Sequence, residues 1–204
     1  MKAQTQAVTM IMITGVIIAL VGAAYMWGKP MIDKRTTLTQ FLSATRFMQT
    51  LDKKIVEMAG TCTTPGACRE TLNLPIGGII RLDEENNSII YEFRVPQPMI
   101  TRDKVLLNTI DNGTVARYGE TPAVLSVLGY KPPGSNAYTL RFALRYRELD
   151  NDQINKGYKI ILQKDGKASG NSKVLITYMG SAVENKGAVN KGDLVITKIG
   201  VQAM

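Results

Sequence analysis

The chain has 204 residues, no histidine, two cysteines and a formal net charge of +8. The missing histidine removes Ser-His-Asp and Cys-His nucleophile arrangements, and two cysteines alone cannot supply the four ligands of a structural zinc site. About 170 residues remain beyond the first apolar stretch, enough for one domain with a real core.

Charge defines the first element. No charged side chain falls between Lys2 and Lys29, and AVTMIMITGVIIALVGAAYMW (Ala7 to Trp27) is almost wholly apolar. About 20 such residues at ~1.5 Å each cross a ~30 Å hydrocarbon layer. A secretory signal has an apolar run of only ~7–15 residues followed by a small-x-small cleavage site. Here the run is longer, and Gly28-Lys29-Pro30-Met31 lacks that pattern. The remaining processing point lies before the run, at Ala3/Gln4, which makes residues 1–3 a leader and residues 4–29 a retained hydrophobic helix.

The run carries small residues at Gly15, Ala19, Gly22, Ala23 and Ala24, which let helices approach closely. Tyr25 and Trp27 fall where an interfacial aromatic belt is expected, and Lys29 marks the water boundary. Two readings follow. The segment is a plain membrane anchor, or it is held in lipid as a monomer and later buried against copies of itself. In the second case Val8, Ile11, Met12, Gly15, Ile18, Ala19, Gly22 and Tyr25 lead the interface.

The opening KAQTQAVTMIMITGVIIALVGAAYMWGKPMIDK resembles the N-terminus of archaeal type IV pilin-like proteins, the group that includes archaellins. The likeness is specific over residues 1–35 and architectural beyond. It implies a short basic leader cut by a prepilin-type peptidase, with Gln4 as first mature residue. Two departures stand out: Ala3 replaces the glycine that often precedes the cut, and Val8 stands where bacterial pilins place a glutamate. The resemblance further implies an assembly ATPase with its membrane platform, and identical subunits in a helical filament.

Lys29, Lys34 and Arg35 follow the apolar segment, so the positive-inside rule alone places the C-terminal side in the cytoplasm. The cysteines argue the other way. In Cys62-Thr-Thr-Pro-Gly-Ala-Cys68 the intervening turn residues bring the sulfurs together, and a disulfide that persists requires an oxidising compartment. Closing so short a ring removes about 2–2.5 kcal/mol of unfolded-state entropy. Asn86-Asn87-Ser88 and Asn112-Gly113-Thr114 match the N-glycosylation sequon at Asn86 and Asn112. Together these features predict a single-pass protein with its C-terminal domain outside the cytoplasm.

After Pro30, expected to kink or restart the helix, a second helical pattern covers residues 30–60. Phe41, Met48 and Ile55 form one stripe, Ala44, Leu51 and Met58 its companion, and Gly60 is a suitable C-cap. From Glu70 the period changes to two. Strands are predicted at 79–82, 89–94, 104–109, 124–128, 137–147, 157–163, 173–179 and 193–201, with Gly, Asn, Asp and Pro between them. Residues 61–204 thus read as an antiparallel β-sandwich or partial barrel, and the whole chain as α+β with a long N-terminal hydrophobic helix.

Chemistry is sparse. Asp83-Glu84-Glu85 lacks calcium-loop spacing and reads as a solvated hairpin tip. A Ser/Lys dyad of the kind found in membrane-anchored signal peptidases survives the histidine argument, yet no serine has a nucleophile context. No enzyme, metal site or cofactor is expected. Residues 131–204 hold 12 basic and 6 acidic side chains. In Tyr138–Arg147 the alternation puts Arg141, Arg145 and Arg147 on one face, either an anion-contact stripe or the outer side of a half-buried strand. The reading that results is a filament subunit assembling through its hydrophobic helix, touching membrane lipid before assembly and an anionic surface or glycan afterwards, with no specific nucleic acid. Its rival is a monomeric membrane-anchored binding module.

Overall fold

The structure, a computed structural model, describes the chain apart from residues 1, 98–99, 101–103, 109–114, 136 and 186–191, with side chains described from residue 9 onward. A single helix of 60 residues, α1 (Lys2–Thr61), carries both helical patterns without a break. Pro30 lies inside it and neither ends nor restarts it. The proline removes one backbone donor only, and its own carbonyl accepts from Gln97 Nε2 at 3.4 Å. Gly60 is not the cap. It sits in the last turn, and the helix ends against Cys62, whose N–H still donates to the Met58 carbonyl.

Among the described residues twelve strands follow: β1 (Arg69–Asn73), β2 (Ile79–Asp83), β3 (Ser88–Val95), β4 (Val105–Leu106), β5 (Val115–Arg117), β6 (Ala123–Tyr130), β7 (Tyr138–Tyr146), β8 (Glu148–Asn151), β9 (Lys156–Lys164), β10 (Ser169–Gly170), β11 (Lys173–Asn185) and β12 (Asp193–Ala203). They form two six-stranded sheets. Sheet I runs β1-β11-β12-β9-β8-β5 and sheet II runs β10-β2-β3-β7-β6-β4. The expected β-rich domain is present, and most pairs are antiparallel. Two are not: β12 lies parallel to β9, and β5 parallel to β8. β12 comes to lie parallel to β9 because the chain leaves sheet I after β9, adds β10 to the edge of sheet II, and returns as β11; between β5 and β8 it crosses sheet II as β6 and β7.

The core lies where both sheets meet α1. The predicted stripes face it: Ala44, Met48, Leu51 and Ile55 are fully buried, Met58 nearly so, and Phe41 packs against them. Phe47 joins them with its ring 5.6 Å from that of Tyr91. The helix touches β6 and β7 of sheet II and β11 and β12 of sheet I, so it closes the gap between the sheets. Cys62 and Cys68 are bonded, with Cα atoms 6.3 Å apart, which staples the helix end to the start of β1.

The turn joining β2 and β3 is more than a solvated tip. Asn87, in the left-handed region at φ 48°, sends its side chain between the sheets. Its Nδ2 donates to the carbonyls of Tyr146 (3.2 Å) and Ile160 (2.7 Å), and its Oδ1 accepts from Leu162 N (2.8 Å). Glu84 Oε1 accepts from Lys164 N at 2.8 Å, so the turn caps the edge of β9 that β8 leaves open. Asn87→Ala strips partners from three backbone groups and is expected to cost about 2–3 kcal/mol in urea unfolding. Asn87→Gly, which keeps the φ preference, should lose nearly as much; full stability of that variant would refute the bridging role.

A second polar tie joins helix and sheet. Tyr146 O–H donates to Asp52 Oδ1 at 2.9 Å. Burial pushes the Asp52 carboxyl above its ordinary pKa, an effect the Tyr146 hydrogen bond only partly offsets. Tyr146 itself is held well above the usual tyrosine range, by burial and by the neighbouring carboxylate. An acid whose folded pKa is raised binds its proton more tightly folded than unfolded. Its contribution is therefore most favourable in acid and diminishes as pH climbs through the folded value. Asp52→Asn retains the acceptor without the charge. Melting curves between about pH 4 and pH 7 should show a shallower decline in this variant than in the parent; identical slopes would exclude Asp52 as the titrating group.

Candidate functional site

Two surfaces stand out, and both are built by the elements just described. The first is the front of α1. An 18-residue window of mean hydropathy 2.1 lies in this helix with none of it buried. Side chains from Met10 to Trp27 are exposed, and sustained burial begins only at Thr37. The roughly 28 helix residues ahead of Pro30, where Gln97 of the domain reaches the helix, project by about 40 Å. Of the predicted interface positions, Ile11, Met12, Ile18 and Tyr25 are exposed by 65–73%. A Cβ added at Gly15 or Gly22 would meet open space, and Ala19 lies between them on the same exposed stretch. Ala3, Gln4 and Val8 lie in the helix, but their side chains are outside the described set. The Thr14 hydroxyl donates to the Met10 carbonyl at 2.8 Å, so its proton is satisfied within the helix. At the far end Lys29 Nζ sits 5.9 Å from the Tyr25 ring centre, joining charge and belt where the rod meets the domain.

The second surface is a groove of about 290 Å³ on the face of sheet II turned away from the core. Register lays its residues out in rows. Asp83, Ser88, Arg145 and Val124 face one another across four strands; Ile90, Ala143 and Ser126 form the next row. Arg141 and Leu128 continue it, and Lys104 reaches in from beside β4. Ile90, Val124, Ser88 and Ser126 are all buried. Glu92 binds Arg141 Nε and Arg81 Nη2, each at 3.3 Å. Asp83 is held below the usual carboxylate range, chiefly by the Asn86 side-chain amide donating at 2.9 Å, with the Asn86 backbone N–H adding to it.

The three arginines read onto one face part company in the structure. Arg141 and Arg145 share the groove, whereas Arg147 falls just past the end of β7 and is fully buried. Its Nη2 reaches Glu120 Oε2 at 3.2 Å, and its Nε donates to the Thr121 carbonyl at 3.3 Å. Arg147 N–H still bonds to the Pro122 carbonyl, the next rung of the β6–β7 ladder, but proline has no N–H to return the bond, and the Glu120 and Thr121 segment buries the guanidinium. Sequence alternation could not anticipate it; Ser88, Ser126 and Lys104 were equally invisible, since only strand order brings them to the arginines.

Among the described residues no cluster of three or more Asp, Glu or Cys could hold a metal. Ser88, Ser126 and Lys104 line one groove, but the Ser126 hydroxyl donates to the Ala143 carbonyl at 3.4 Å, directing its proton into the sheet. Asn86 is exposed in its turn, with its amide engaged by Asp83; Asn112 lies outside the described residues. No family model, curated protein or solved structure matches this chain. A long apolar helix and a disulfide-stapled β domain are compatible with a single-pass membrane protein or a secreted one.

Proposed function

We propose that the chain is a structural subunit of an archaeal type IV pilus-like surface filament. The observation that carries this reading is one unbroken helix whose rear half is the core of the domain and whose front half is bare, apolar and about 40 Å long. A rod so presented has two stable surroundings, lipid or other rods. In the first the subunit waits as a single-pass membrane protein with its β domain outside the cytoplasm. In the second, close packing at Gly15, Ala19 and Gly22 exchanges lipid contacts for neighbouring helices. The resemblance over residues 1–35 adds the partners: a prepilin-type peptidase acting between Ala3 and Gln4, an assembly ATPase with its platform, and copies of the same chain. The chain acts by assembling, and no catalysis is assigned to it.

Mass spectrometry of sheared surface filaments tests the proposal. Peptides of this chain with an N-terminus at Gln4, in fibres seen by electron microscopy, are the expected result. An intact Met1 in a membrane-bound monomer would overturn it. That outcome would favour the second reading, a monomeric anchored binding module, for which the groove on sheet II is the supporting feature.

A further inference from the structure

The groove on sheet II combines features that a merely solvated strand face does not have. Its apolar floor is offered by Ala143 and Leu128, both partly exposed, with Ile90 and Val124 buried beside them. Two hydroxyls, on Ser88 and Ser126, lie beside that floor and are themselves at most 5% exposed. Three cationic heads come from two segments: Arg141 and Arg145 on β7, and Lys104 before β4. Among the described residues of the lining the carboxylate is Asp83, bonded to Asn86. Glu92 stands beside the groove and fixes Arg141 through Nε.

An apolar strip flanked by hydroxyls and guanidinium groups complements a particular chemistry. A sugar ring offers a flat C–H face to the strip and hydroxyls to serine, asparagine and aspartate. A carboxylate on that ring meets the planar fork of arginine, which recognises carboxylates in two-point fashion. The volume of about 290 Å³ sits at the small end for ligand sites, enough for one ring rather than an extended chain. No aromatic side chain lines the groove among the described residues, so it lacks the stacking platform on which unpaired bases are held.

We propose that the sheet II groove binds one acidic sugar residue, a hexuronate, within an anionic polysaccharide. The carboxylate pairs with Arg141 and Arg145, the ring lies on Ala143 and Leu128, and Ser88 and Asp83 take ring hydroxyls. This site is independent of assembly through α1 and would serve an anchored monomer equally well.

Calorimetric titration of the detergent-solubilised full chain provides the test, with trigalacturonate as probe and neutral galactotriose and duplex DNA as comparators. Trigalacturonate should bind at least tenfold more tightly than galactotriose. R141Q/R145Q should weaken it tenfold or more without altering binding of the neutral sugar. A143L, which fills the floor and leaves every charge in place, should weaken it by a similar factor, and thermal melts identify any variant that misfolds. Equal affinity for charged and neutral sugars, undiminished binding by A143L, or tighter binding of DNA than of trigalacturonate would each overturn the proposal.

Discussion

Ile18→Asp is expected to keep the protein out of the membrane. Ile18 lies near the middle of the exposed apolar stretch and is 67% exposed, with no protein group beside it to pair with a charge. Exchanging isoleucine for aspartate at the centre of a spanning helix costs about 3–4 kcal/mol of insertion free energy, roughly a hundred- to a thousandfold in the partition. Carbonate extraction of membranes should release the variant while retaining the parent. The β domain should remain folded, because the substitution lies some 19 residues before Thr37, where burial begins. A paired variant separates lodging in lipid from assembly. Gly22→Leu raises hydropathy but blocks close helix approach, so it should stay in the membrane fraction and yield no filaments. Filaments of normal abundance from Gly22→Leu would remove small-residue packing from the mechanism.

Phe142→Ala should be the most damaging change in the β domain. Phe142 is fully buried on β7, with its ring 5.6 Å from Phe41 of α1 and 5.9 Å from Phe93 of β3. With Tyr91, which meets Phe47, it is one of the sheet II rings that the helix packs against. Truncation leaves a cavity flanked by two aromatic rings on two elements that cannot both close in, and about 3–5 kcal/mol is expected to be lost. Urea unfolding measures it directly. Phe41→Ala should cost less, since Phe41 is only partly buried. A double variant that lost no more than Phe142→Ala alone would show that the two rings act as one contact. Loss below about 1 kcal/mol for Phe142→Ala would mean that the helix is held elsewhere.

What could be read in the sequence followed from local periodicity. The 3.6-residue stripe on the helix identified Ala44, Met48, Leu51, Ile55 and Met58 as core, and all are buried. Alternation identified the long strands, and the pairing of the cysteines followed from their turn. What could not be read depends on partners distant in sequence. Val115–Arg117 is a strand because it lies beside Glu148–Asn151, and Glu148–Asn151 because it lies between that segment and β9 in sheet I, not because of their composition. The 104–109 segment contributes only Val105–Leu106 as strand among its described residues. The parallel placing of β12 on β9 requires the excursion of β10 into the other sheet. Arg147 is buried by Glu120 and Thr121, residues of a distant loop that strand alternation does not bring into view. The rod was visible as a charge-free run, while the groove needed four strands in register before its residues met.

The staple between Cys62 and Cys68 has a mechanical corollary. If the outer domain is tugged while α1 is gripped, tension arriving through β1 crosses from one sulfur to the other and bypasses the five residues between them. That link cannot lengthen, so the pull reaches the rear of the helix before any slack is drawn from the chain. There it meets Met58, Ile55 and Leu51 wedged between two sheets, and the load spreads into both at once. In a reducing medium the same tug would first straighten the Thr63–Ala67 turn, a compliant spring in place of a stiff strut.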